Sequence, residues 1–171
     1  MRTAGNLANA HPIVMNSSVL VELYETHYAA VYRTAARITG NPADAEDVLQ
    51  TVFLRILAQG EPADSGQLTG AYFRRAAANA AIDILRRKTT HAEIQLDSAR
   101  LHLAKEPTAL LKECLRQAIA SLNQEDATMF LLRYVEGLSN GELAELYQQE
   151  KNAVAVRLHR IRQTLQAEME R

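Results

Sequence analysis

At 171 residues the chain has room for one medium domain or two small ones, and 47% of it is apolar, enough for packed cores. Few aromatics, no tryptophan and many Ala and Leu residues point to small helical domains. The lone Cys114 excludes an internal disulfide and reads as a small buried hydrophobe; no apolar run spans a bilayer; and residues 1–16 lack the charged start and apolar core of a signal peptide. These features predict a cytoplasmic protein without membrane insertion.

Net charge is −1, which by itself argues against a nucleic-acid partner, but the charges are unevenly placed. Residues 1–67 carry four cations and seven anions, 68–105 seven and three, 106–150 three and eight, and 151–171 five and two. Two basic surfaces separated by acidic ones suit a protein that meets DNA twice and a basic partner elsewhere.

After a flexible N-terminus over 1–17, residues 18–39 place Leu20, Leu23, Tyr24, His27, Val31, Ala35 and Ile38 on one helical stripe. Ser17 or Ser18 is the expected cap and Gly40 the stop. His27 reads as a packed ring, because no second ligand sits beside it at metal spacing. Asn41-Pro42 restarts the chain as a cap followed by a proline whose missing N–H costs nothing. Ala45, Val48, Leu49, Val52, Phe53, Ile56 and Leu57 then recur at i, i+3, i+4 intervals, with Asp44, Glu46, Asp47, Gln50 and Thr51 outward. The helix dipole explains a carboxylate at Asp44; Asp47 and Gln50 lie further along, where a basic partner helix would use them.

Residues 59–70 form the clearest loop. The next helix, Ala71 to Lys88, turns Phe73, Ala77, Ala80, Ala81 and Ile84 inward, and its small residues call for close approach of a neighbouring helix. Its opposite stripe carries Arg75, Asn79, Ile82 or Asp83, and Arg86, ending in Arg86-Arg87-Lys88. That stripe reads either as a dipole-favoured C-terminus or as a surface for a nucleic-acid backbone. Periodicity fades over 89–107, an expected linker in which helical pieces are allowed. A helix over 110–122 follows, then one capped by Asn123 with Ala127, Phe130, Leu131, Tyr134 and Val135 inward, ending at Gly137.

Ser139 and Glu142 make a capping box that opens a short helix with Leu143, Leu146 and Tyr147 inward. The polar run 148–151 interrupts it, Asn152 is the expected cap of the last helix, and Val154, Leu158, Ile161 and Leu165 share its buried face. Arg157, His159, Arg160 and Arg162 occupy the remaining surface. A short helix, a tight turn and a basic second helix form a helix-turn-helix suited to the DNA major groove. The bland alternative is a helical bundle with a solvated basic face. The fold class expected is all-α: two small helical domains, 18–88 and 108–171, joined by a linker over 89–107, the second containing the helix-turn-helix. No P-loop, dinucleotide signature, metal cluster or catalytic grouping stands out, so neither an enzyme nor a cofactor is expected.

The runs DAEDVLQTVFLRIL, AYFRRAAANAAIDILRRK and LNQEDATMFLLRYVEGLSNGELAEL with VRLHRIR resemble, in order and spacing, the two-domain bacterial sigma factors of the extracytoplasmic-function group of the sigma-70 family. The resemblance covers about residues 18–88 and 110–167. It implies a dissociable subunit that binds core RNA polymerase, directs it to promoter DNA and helps melt the start region, controlled by an anti-sigma partner. By resemblance, Asp44, Asp47, Gln50 and Phe53 would dock on the polymerase, Phe53 serving instead in the core as a second option. Arg75, Asn79, Arg86 and Arg87, with the loop 59–70, would engage the −10 element. Asn152, Val156, Arg157 and Arg160 would meet the −35 element.

Two departures bear on these roles. Tyr72 stands where the family commonly has tryptophan. The last helix begins Ala153-Val154-Ala155-Val156 rather than with polar residues, leaving hydrogen-bond readout to Asn152 and Arg157 and thymine-methyl contact to Ala155 and Val156. The turn 147–151 also lacks the usual glycine. Two other readings stay open: an interaction module that keeps the fold without reading promoters, and a stand-alone DNA-binding regulator.

Overall fold

The computed structural model describes residues 17–59, 68–95 and 107–170. Its elements are seven α-helices: α1 (Ser17–Thr39), α2 (Pro42–Gln59), α3 (Gly70–Gln95), α4 (Pro107–Ser121), α5 (Gln124–Tyr134), α6 (Asn140–Tyr147) and α7 (Lys151–Met169). The flexible N-terminus expected over 1–17 lies outside the described residues except for Ser17, which begins α1, and the expectations resting on 60–67 and 96–106 lie outside them too.

The first three helices pack mutually. Val31, Ala35 and Ile38 of α1, Ala45, Val48, Val52, Phe53 and Ile56 of α2, and Phe73, Ala77, Ala80, Ala81 and Ile84 of α3 are all buried, as the periodicity predicts. Small residues at Ala77, Ala80 and Ala81 let α3 approach its neighbours closely. Phe73 is the hub: His27 stacks on it at 4.0 Å between centroids, Phe53 lies at 5.7 Å and Tyr72 meets it edge-on. Complete burial of a phenylalanine contributes roughly 1.5–3 kcal/mol.

The boundaries follow from local chemistry. Asn41 Oδ1 accepts from the Ala43 N–H at 2.9 Å, capping α2 ahead of Pro42. Gly40 ends α1 at φ +67°, a conformation that favours glycine, while a Cβ there would meet only the far end of the flexible Arg116 side chain. Helix α3 runs on to Gln95 instead of stopping at Lys88. No Gly or Pro intervenes, and Thr89 and Thr90 turn their hydroxyls back to the carbonyls of Leu85 and Arg86 within the helix.

In the second group, Asn123 caps α5 by accepting from the Asp126 N–H at 2.9 Å, and Ser139 with Glu142 closes the expected capping box on α6. Leu143, Val154, Leu158, Ile161 and Leu165 are buried together. Asn152 does not cap α7. The helix already starts at Lys151, with Glu150 at the cap in extended conformation and its carbonyl accepting from the Val154 N–H.

Four apolar expectations fail: Tyr24 is partly exposed although its ring meets Phe53 edge-on, and three others fail for a common reason. Leu57, Tyr134 and Cys114 are exposed, because each lies where its helix runs past its packing partners; among residues 54–59 only Ile56 stays covered. The two groups are not separate bodies. α3 packs against α4 and α5 as well as against α1 and α2, so it is the wall they share.

Burial holds the His27 imidazole below its ordinary pKa of 6.5, favouring the neutral ring. The unfolded chain therefore binds this proton more readily, and the associated stability is present above the unfolded pKa and lost as pH falls through the folded value. Urea midpoints should drop between pH 7.5 and 5.5, and His27→Phe should make that drop smaller; an unchanged slope would remove His27 from the account.

Candidate nucleic-acid interface

The cationic stripe of α3 does not face open solvent. Arg86 donates from Nε to the Ala120 carbonyl at 3.1 Å, from Nη2 to the Leu122 carbonyl at 2.7 Å, and from Nη1 to the Gln124 side chain. Asn79 Oδ1 accepts from the Thr128 hydroxyl at 2.5 Å, and its backbone carbonyl accepts from Gln124 Nε2 at 3.2 Å. The Arg75 guanidinium lies 4.5 Å above the Tyr147 ring, a cation–π geometry, and reaches the Leu146 carbonyl at 3.5 Å. Burial pushes the Tyr147 phenol above its ordinary pKa, with Arg75 working the other way. Ala78 and Ile82 lie on the same stripe and are fully covered. Arg87 differs: it is exposed and, among the described residues, bonds within its own helix to the Asp83 carbonyl.

On the helix-turn-helix, the turn is made without glycine. Gln148 sits at φ 52°, ψ 46°, the left-handed conformation that glycine adopts without strain, while the N–H groups of Gln148 and Gln149 satisfy carbonyls at the end of α6. The outward face of α7 exposes Asn152, Val156, His159, Arg160 and Arg162, and Asn152, Val156 and Arg160 among them line a groove of about 940 Å³ beside the α4–α5 corner. Arg157 also lines that groove, but its guanidinium is engaged by the start of α5. It donates from Nε to Asp126 at 2.6 Å and from Nη2 to Glu125 at 2.9 Å. Burial opposes its charge, but these two carboxylates outweigh it and raise its pKa. The acidic first turn of α5 was the available signal for this pairing.

The residues expected at a polymerase-facing surface divide in two. Asp47 and Gln50 are exposed on α2. Asp44 is nearly buried and ion-paired with Lys88, tying the start of α2 to α3. Phe53 is buried against Tyr24 and Phe73, the core option of its two.

A helix-turn-helix with a basic outward face, packed on a second helical group, places the chain in the class of all-α proteins built like DNA-binding ones. Residues 23–90 match the family described as Sigma-70 region 2, and residues 112–165 match Sigma-70, region 4. The RNA polymerase sigma-E factor of Streptomyces antibioticus is 30% identical over 87% of this chain and 83% of its own. The ECF RNA polymerase sigma factor SigW of Bacillus subtilis is 24% identical over 88% and 87%. ECF RNA polymerase sigma factor SigE of Mycolicibacterium smegmatis is 29% identical over 84% of this chain, which spans 59% of that longer relative. The chain belongs to the extracytoplasmic-function group of the sigma-70 family and is a promoter-directing sigma factor of RNA polymerase. Among the described residues no helix is long and apolar enough to cross a membrane.

A non-glycine residue in the left-handed region costs about 1 kcal/mol. Gln148→Gly should therefore raise the urea-derived stability by up to about 1 kcal/mol, offset in part by the added freedom of the unfolded chain; a net loss would show that the turn is not strained at this position.

Proposed function

We propose that the chain divides promoter recognition between its two helical groups, about 18–88 and 108–171, and catalyses no reaction itself. Asp47 and Gln50 present acceptors to core polymerase from the exposed side of α2, with Asp44 holding that helix in place through Lys88 and Phe53 supporting it from the core. Arg75, Asn79, Arg86 and Arg87, with the loop 59–70, engage the −10 element and hold its non-template strand open. Extruding a base costs a few kcal/mol of stacking and pairing, which a cationic surface of this kind offsets through phosphate contacts. Asn152, Val156 and Arg160 meet the −35 element, while Arg157 braces α7 through α5 and reaches DNA only if its carboxylate partners release it.

The observation that carries this reading is the pairing of two cationic helical faces, on α3 and α7, in one chain of this family. The protein acts in the cytoplasm and is held in check by an anti-sigma partner that covers the same faces. A second reading has its own support. The exposed start of α7 is Ala153, Ala155 and Val156, and Arg157 is engaged by Glu125 and Asp126, so −35 readout rests on few polar groups. An interaction module that no longer reads promoters would look like this too.

Purified protein added to core polymerase should start RNA at a defined promoter; core binding without initiation would favour the second reading, and neither would reject both. Asp47→Arg should weaken core binding about tenfold, roughly 1.4 kcal/mol, with helicity intact. Unchanged affinity would remove the exposed side of α2 from the polymerase contact.

A further inference from the structure

We infer that α7 reads its DNA through thymine methyl groups: the −35 element of this chain is a short A·T run whose thymines pack on Val156 and Ala153, beside an adenine held by Asn152. This rests on the −35 role of α7 proposed above, and gives that face a class of sequence.

At 100° per residue, Val156 lies directly opposite the buried stripe of Val154, Leu158, Ile161 and Leu165, at the centre of the outward face. It is 52% exposed, with Asn152 one turn before it and Arg160 one turn after. Ala153 is exposed beside it and lines the same groove, whereas Ala155 and His159 are exposed outside that groove. The middle of the reading face is therefore hydrocarbon. Arg157, the cation next along the chain, is held by Asp126 at 2.6 Å and Glu125 at 2.9 Å. Asp126 lines the groove as well, so its pairing with Arg157 neutralises a carboxylate that would otherwise face a DNA backbone. Arg157 is thus a positioning residue and reads no base.

Among the four bases only thymine presents an apolar group in the major groove, its 5-methyl. A guanine or cytosine edge placed under Val156 and Ala153 loses water from its polar atoms and finds no partner, while thymine offsets that loss by methyl contact. The Asn152 amide has the donor and acceptor that pair with the N6 and N7 edge of adenine, and Arg160 supplies donors for guanine or phosphate. Four residues of helix rise about 6 Å, close to two base pairs at 3.4 Å each, so the adenine and the thymines fall in one short run. The scarcity of polar groups at the start of α7, which also suits an interaction module, is on this account a readout chemistry of its own.

The test uses the full-length protein bound to core polymerase, which selects promoters from a pool randomised over the −35 region. The selected sequences should carry thymines beside an adenine. Each contacted thymine is then replaced by uracil, which removes the methyl group and leaves the hydrogen-bonding edge unchanged. Binding should weaken about fourfold per methyl, the equivalent of roughly 0.8 kcal/mol for one buried carbon. In Val156→Ala, an exposed position whose change leaves the fold intact, the same replacement should cost about twofold or less. Arg157→Ala should weaken all duplexes alike and keep the base preference. Initiation without a −35 preference, a selected element centred on G·C pairs, uracil without effect, or a uracil effect undiminished in Val156→Ala overturns methyl readout and leaves the promoter reading standing. Failure to bind core polymerase or to start RNA at any promoter sinks both.

Discussion

The guanidinium of Arg86 at the end of α4 is the interaction on which the arrangement of the molecule turns. Helix α4 finishes with unsatisfied carbonyls and the negative end of its dipole, and Arg86 supplies two donors to it, at 3.1 and 2.7 Å, with a third to Gln124. Hydrogen bonds from a charged donor contribute about 1.5–3 kcal/mol each before solvent screening, and this one is only partly shielded. A helix end that would otherwise need water is capped by a residue from the other half of the chain. The C-terminal group is thereby seated on α3.

That seat gives α3 two loaded faces. Phe73, Ala77, Ala81 and Ile84 hold the N-terminal bundle, while Arg75, Asn79, Ile82 and Arg86 hold the C-terminal group. In the proposed promoter reading α3 supplies one of two DNA surfaces, and in the free chain Arg75, Asn79 and Arg86 of that surface bind the other half of the protein. The α7 face, by contrast, stays open along its groove, with Val156 and Arg160 exposed.

Much of this was legible from the residues alone, and the boundary of legibility has a physical cause. Periodicity reports which residues share a face, and it placed the buried stripes of α1, α3 and α7, while the cap residues Asn41, Asn123 and Ser139 marked starts because capping is a contact over three residues. The same signal says nothing about what covers a face. Ile82 and Arg86 were readable as one outward stripe, yet their partners lie 34 to 38 residues away for Arg86, where no local pattern reaches. Asp44 looked like an exposed first-turn acid because its partner Lys88 is equally remote, and Arg157 looked free because the carboxylates of α5 come within reach only after the helix-turn-helix has folded. Leu57 and Cys114 failed in the opposite sense: Leu57 follows, and Cys114 precedes, the turns of its helix that have packing partners.

The shape of the free chain in solution tests the central claim most directly. Small-angle X-ray scattering of the full-length protein without polymerase or DNA should give one compact particle with a radius of gyration of about 16 Å, the value expected for 171 residues folded as a single body. A radius above about 22 Å, with the scattering of two bodies held apart, would contradict a C-terminal group seated on α3.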